Sequence, residues 1–228
     1  AEYESFLKRH GVAHLAALVL LPRREIVARE LALPGVEDRD LKAAIHYQVD
    51  ALHPYAEDEA VWDFARLPGK THVLVGISRK ASVDRYAELF SQAGVKVAGF
   101  TLSPAILFSA LRLFGQPPAE GFAAIADRGG EVEVYGESPV HPAFSTLLDA
   151  PGDRAASLAA SELRLPPEAG PLGLGSLLPT PRRAPLEFSP EEDALAYATA
   201  LAGACPRLSL KLNLLPPALR STSSRAMY

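Results

Sequence analysis

Asp127-Arg128-Gly129-Gly130 lies between two strand-like segments, Phe122 to Ala126 and Glu131 to Tyr135. A carboxylate at the tip of a strand, followed by glycines whose amides can come close, suits a phosphate and its metal ion. The same four residues also spell an ordinary hairpin turn. Cys205, the lone cysteine, stands between Ala204 and Pro206 with no basic cluster to lower its pKa. It reads as a small buried hydrophobe rather than a nucleophile. His10 and His14 have the four-residue spacing of two ligands on one helix face, but Gly11 between them should break that helix. His46 and His53 lie on one strong helical pattern and read as its half-exposed face. Glu57-Asp58-Glu59, with Asp63 nearby, could suggest a cation cage. On a strand, however, alternate residues point to opposite faces, so a solvated turn is the simpler reading. The chain contains no Walker loop, no dinucleotide fingerprint and no His-Glu-x-x-His, and Ser176 lacks the second glycine of a nucleophile elbow.

Periodicity predicts the elements around these residues. A short helix spans Glu2 to His10, and strands cover Leu15 to Leu21 and Glu25 to Leu33 before Pro34-Gly35. Leu41, Ala44, Ile45, Val49 and Leu52 recur at helical spacing within Asp38 to Leu52. Glu59 to Leu67 and Thr71 to Ser78 form a hairpin through Pro68-Gly69-Lys70, with Trp62 as a core residue. A helix over Ser82 to Ala93 and a strand over Val95 to Thr101 follow. Next comes a helix from Ser103 to Phe114, with Ser as N-cap and Pro at its first position. After the Asp127 hairpin come a helix over Asp153 to Leu165 and a Pro/Gly-rich stretch with one short strand, Leu172 to Leu174. Ser189-Pro190-Glu191-Glu192 predicts a capping box for a helix over Glu191 to Ala202. Leu208 to Leu215 reads as a last strand or extended tail, and Ser221 to Tyr228 as disordered. Strands alternating with helices, with hairpins interspersed, indicate α/β with a mixed sheet.

Composition narrows the function. The chain has 228 residues, 48% hydrophobic and 22% charged, which is globular usage with room for a sizeable core. A net charge of −4 without a basic patch gives no reason to expect nucleic acid. One cysteine excludes a disulfide framework and fits a reducing compartment. The longest apolar run, Leu15 to Leu21, is far too short to span a bilayer. The first residue is Ala1 rather than Met, so targeting is not legible from that end.

The order of these segments resembles the PilM family of type IV pilus assembly proteins and the cytoplasmic part of the type II secretion L protein. The residues that carry the resemblance are Ile26 to Pro34, Asp40 to Ile45, Val49 to Tyr55 and Val61 to Phe64, and it extends roughly from Phe6 to Leu201. It implies an α/β, actin/Hsp70-like (RNase H-like) fold of mixed sheets with flanking helices. Its two related halves would cover residues 1–115, reading as truncated at the N-terminus, and residues 116–206. That fold begins with a strand–Asp–x–Gly hairpin, and none precedes the helix at Glu2. The second hairpin keeps Asp127, Gly129 and Gly130 as a degenerate phosphate loop, with Arg128 where the family has a small apolar residue. Glycines between Gly170 and Gly175 could add a further loop.

Leu212-Asn213-Leu214-Leu215-Pro216 resembles the cytoplasmic tail of PilN, the membrane partner that docks on PilM. Residues 207–228 would then be a PilN-like tail, as in a PilM–PilN fusion, leading to a membrane helix outside this chain. The expectation is that Leu210 to Pro216 packs back onto the domain in cis. The resemblance implies a non-catalytic scaffold on the cytoplasmic face of the bacterial inner membrane, without cofactor. Its partners would be platform membrane proteins and the motor ATPase, and a homo-oligomer is compatible with this. The alternative is a nucleotide-binding actin-like ATPase, with ATP and magnesium held by Asp127 and the glycines.

Overall fold

The structure, a computed structural model, describes residues 2–11, 16–127, 131–183 and 187–221. Strand β1 (Ala17–Leu20) pairs in parallel with β5 (Val97–Thr101). Strands β2 (Ile26–Ala32), β3 (Ala60–Arg66) and β4 (His72–Arg79) form an antiparallel sheet with β4 in the middle. A third sheet has the order β8-β7-β6-β9, from β6 (Phe122–Asp127), β7 (Val132–Glu137), β8 (Phe144–Leu148) and β9 (Leu172–Gly173).

Helices cover these sheets according to their apolar stripes. Helix α1 (Glu2–His10) ends at Gly11, whose φ of 66° makes it the left-handed stop that glycine adopts without strain. Helix α2 (Asp38–Val49) buries Leu41, Ile45 and Val49 on the three-stranded sheet against Val73, Val75 and Ile77. Helix α3 (Lys80–Gln92) follows β4 directly. Helix α4 (Ser103–Phe114) is buried all round from Ser103 to Leu111 and forms the centre of the main core. Helix α5 (Gly152–Leu163) lays Ala155, Ala159 and Leu163 on β6 and β7. Helix α6 (Ala194–Ala204) packs its alanines beside α4 and β1. The β2-β4-β3 sheet has a core on each face. Leu74 belongs to the main core, whereas Val73 and Val75 face α2, so β4 reads as one continuous apolar run.

Several expectations are corrected. The strands expected on either side of Pro22 do not join one sheet. A 3-10 turn at Arg23–Glu25 sends β1 to β5 and β2 to β4. Strand β8 was not anticipated. Ser103 is not the N-cap of α4: that position is Leu102, and the serine hydroxyl instead donates to Glu133. Regular helix in α6 starts only at Ala194, because Ser189 N–H donates to Asp193 Oδ2 at 2.9 Å and closes a turn ahead of it. Of the two alternatives for Leu208 to Leu215, the strand is not formed: after a turn at Leu208 the segment runs on as an irregular tail. Ser221 is tied down, its N–H donating to Val97 O at 2.7 Å, and the remaining tail residues expected to be disordered lie outside the described ones. Among the described residues no helix is long and apolar enough to cross a membrane.

Candidate functional site

Two strand glycines shape one side of the molecule. Gly76 on β4 and Gly99 on β5 leave gaps that the segment after α6 fills. A Cβ on Gly99 would lie 2.5 Å from Asn213 Nδ2, and one on Gly76 would lie 2.5 Å from Leu102 Cδ2 and 2.9 Å from Leu212 Cδ2. Real side-chain atoms do not come that close, so both positions require the bare backbone that glycine provides.

Over these gaps the tail is held by a series of hydrogen bonds centred on Asn213. Asn213 Oδ1 accepts from Phe100 N–H at 3.0 Å and from Leu215 N–H at 3.0 Å, while Nδ2 donates to Ala98 O at 3.2 Å. Its side-chain amide thus does for the outer edge of β5 what a neighbouring strand's peptide would do. Asn213 N–H donates to Asp63 Oδ2 on β3 at 2.7 Å, and Arg220 Nη2 donates to Asn213 O at 3.1 Å. Leu214 N–H donates to Phe100 O at 2.8 Å, and Leu210 N–H to Ser109 Oγ at 3.0 Å. Between these bonds Leu212, Leu214 and Leu215 are buried in the main core, and Pro216 is half-buried. Asparagine suits the central position because its short side chain carries both an accepting oxygen and a donating NH2 group. Aspartate could not donate to Ala98 O. Burial pushes the Asp63 carboxyl above its ordinary range, opposed by the N–H groups of Asn213 and Phe64 and by the charges of Arg220 and Lys42.

The second candidate region is the hairpin of β6 and β7. Asp127 ends β6, and Arg128, Gly129 and Gly130 lie outside the described residues. Beside β7 is a cavity of about 480 Å³ whose lining includes Arg23, Arg24, Ser103, Glu131 and Glu133. Glu133 is 3% exposed and accepts from the Ser103 hydroxyl, and its Oε1 lies 3.9 Å from Arg23 Nε. Arg23 also donates to Ile26 O at 3.0 Å and to Ser145 O at 3.4 Å. Burial lowers its pKa, with Glu133 acting in the opposite direction. At the rim Arg24 Nε meets Glu131 Oε2 at 2.5 Å. Each arginine of the cavity therefore faces a glutamate. The glycine loop expected between Gly170 and Gly175 is also engaged internally: Gly175 N–H donates to Glu191 Oε2 at 3.0 Å, and a Cβ on Gly173 would strike that carboxylate.

The other residues singled out from sequence have local roles. His10 packs at a tilt against Phe6, while His14 lies outside the described residues. His46 stacks on Trp62, and His53 on Tyr55, whose N–H it accepts at 3.1 Å. Cys205 is half-buried just past α6, Ser176 donates to Gly173 O at 2.8 Å, and Asp58 and Glu59 are exposed. Among the described residues no group of three or more His, Cys, Asp or Glu side chains is placed to hold a metal ion. Sequence reasoning did not identify Gly76, Gly99, Ser109 or Arg220 as parts of the tail site. A glycine inside a strand, the available signal for the first two, marks a close approach.

No family model matches the chain, and no curated protein matches it. Among solved structures, the chain is similar to the cytoplasmic domain of EpsL, an inner membrane component of the type II secretion system of Vibrio cholerae. That likeness has a TM-score of 0.59 and 15% identity over 96% of this chain and 83% of that one. A PilM-PilN type IV pilus biogenesis complex aligns with a TM-score of 0.49 and 16% identity over 84% of this chain, which spans about half (51%) of that one. A Bacteroides thetaiotaomicron protein of unknown function with an actin-like ATPase fold aligns at 0.41 and 11% identity, over 72% of this chain and 62% of that one. The chain thus shares the fold of that EpsL domain, a mixed α/β fold as the sequence resemblance implied.

Proposed function

We propose that this chain is a scaffold domain of a bacterial pilus or secretion platform, working at the cytoplasmic face of the inner membrane through protein contacts rather than catalysis. The observation that carries the reading is the seat of Leu212 to Leu215. A segment resembling a partner's docking tail adds to the β5 edge over two glycine gaps, with its central amide bonded through both its oxygen and its nitrogen. Edge addition combines main-chain hydrogen bonds with buried apolar side chains, which is how one chain recognises an extended piece of another. The fold shared with the EpsL domain supports the same setting. Platform membrane proteins, and the motor ATPase that drives such machines, are the partners this assignment calls for.

In the cavity beside Glu133 a phosphate would have to compete with two glutamates for Arg23 and Arg24. This favours the scaffold over a nucleotide-binding ATPase. The test is a titration of fluorescent ATP, with and without magnesium, against this chain and an Asp127→Ala variant. The scaffold reading expects no saturable binding. Micromolar, magnesium-dependent binding that the substitution abolishes would replace it with the ATPase reading.

A further inference from the structure

Strand β3 ends its sheet and has a strand neighbour on one side only, β4, whereas at the other end β2 runs beside β8. The difference shows in burial. Val73 to Ser78 of β4 are buried at every position, but Ala60 to Phe64 of β3 are only half-buried, on both faces of the sheet. Leu67 N–H donates to His72 O at 2.9 Å, which fixes the phase of the ladder. Val61, Asp63 and Ala65 therefore exchange bonds with β4, and the peptide groups of Ala60, Trp62, Phe64 and Arg66 turn outward. Among the described residues nothing bonds to Trp62 N–H or Trp62 O across that edge.

Edge strands are commonly blunted by proline, a bulge, an outward lysine or sheer shortness. β3 has none of these. Its register with β4 runs unbroken from Ala60 to Arg66, without proline or glycine. The charge within it, Asp63, turns onto the tail, where it accepts from Asn213 N–H. On the α2 side the edge carries a row of rings: Phe64 stacks on Trp62 at 6.3 Å between centroids, and Trp62 on His46 at 6.2 Å. Tyr47 follows His46 on α2 and is 88% exposed. An edge with free peptide groups and apolar rings is one to which another strand can be added.

The charges at its two ends select that strand. Asp58 and Glu59, both exposed, precede β3, while Arg66 closes it and exposed Lys70 follows in the turn. A second β3 laid antiparallel brings the acidic end of each copy to the basic end of the other, at both ends of the seam. A two-fold axis at Asp63 would set two carboxylates face to face. An axis at Trp62 instead puts Trp62 against its own copy and Ala60 opposite Phe64, with the outward peptide groups matched. We propose that β3 is a self-pairing edge: two copies of this chain join through it about a two-fold axis at Trp62, as one continuous antiparallel sheet. The axis stands perpendicular to that sheet, so both α2 helices lie on one face, with Tyr47 beside the seam. A contact of this size makes the dimer reversible rather than obligate.

The test is sedimentation velocity of this chain from micromolar to sub-millimolar concentration, read together with tryptophan fluorescence. Trp62 is the only tryptophan, so its emission reports on the seam directly. The expected result is a reversible monomer–dimer equilibrium with nothing larger, in which emission shifts to the blue and iodide quenching falls as the dimer forms. A chain that stays monomeric throughout overturns the pairing. So does a dimer in which Trp62 is quenched as readily as in the monomer. Asp58→Lys together with Glu59→Lys, both at exposed positions, should keep the monomer's Tm and weaken the dimer about tenfold, because lysines then face Arg66 and Lys70. Adding Lys70→Glu should recover most of that loss. A dimer indifferent to the two lysines, or one that the third substitution does not restore, contradicts the antiparallel seam.

Discussion

The β5 edge and the cavity beside Glu133 both find their partners within the chain itself, but with different chemistry. Along β5 the filling is apolar side chains and peptide and amide hydrogen bonds set over two missing Cβ atoms, with Asp63 and Arg220 as its charged partners. In the cavity it is two arginines facing two glutamates. The first arrangement depends chiefly on shape, so adding or removing a single carbon should be felt. The second depends on charge, so deleting one partner strands the other, whereas removing both together costs little. A surface built to read an extended segment should look like the first. A cavity that has lost, or never had, a polyphosphate ligand can look like the second.

This contrast makes predictions of decreasing size. Leu215→Ala, at a side chain 1% exposed, should cost about 3 kcal/mol in urea unfolding. A cost below about 1 kcal/mol would mean that the tail is not part of the core. Gly99→Ala should cost about 2 kcal/mol by overpacking and speed tryptic cleavage after Lys211, because the new Cβ displaces the Asn213 amide. If cleavage stayed as slow as in the unmutated chain, the gap would not be what holds the tail. Glu133→Gln should cost about 1–2 kcal/mol by leaving Arg23 without its counter-charge, and Arg23→Met in the same chain should restore most of it. A double variant as unstable as the single would show that shape, not charge, governs the cavity.

The smallest effect is at Asp63. Its carboxyl titrates above the ordinary value of 3.8, so the folded state binds that proton more tightly. Stability should therefore rise as pH falls from neutral through the folded value toward 3.8, and fall again as pH rises. Asp63→Asn keeps an acceptor for Asn213 N–H and should flatten that part of the pH curve. An unchanged slope would remove Asp63 from the account of the tail.

Local punctuation in the sequence announces most of the elements. Gly11, Gly69 and Gly94, all at positive φ, end or turn them where they are expected, and the apolar stripe of Leu41, Ile45 and Val49 marks α2. Pairing is not legible in the same way, because periodicity gives a strand its faces and not its neighbours. Nothing in Leu18 or Val19 says that β1 will lie parallel to a strand some eighty residues later. Strand β8 escapes notice because Phe144 to Leu148 are all half-buried, without alternation, and follow Pro139 and Pro142. The tail motif is readable from Leu212 to Pro216, but its receptor is not. Gly76 and Gly99 look like strand weakeners until Leu212 and Asn213 are placed over them.

The most direct test of the central claim is native-state amide exchange of Asn213, Leu214 and Leu215, whose N–H groups bond to Asp63, Phe100 O and the Asn213 side chain. A docked tail predicts protection close to that of β5 itself, lost in Gly99→Ala. Exchange at the rate of an unstructured peptide, in the unmutated chain, would contradict it: the tail would then be a loose linker and the β5 edge would stand open.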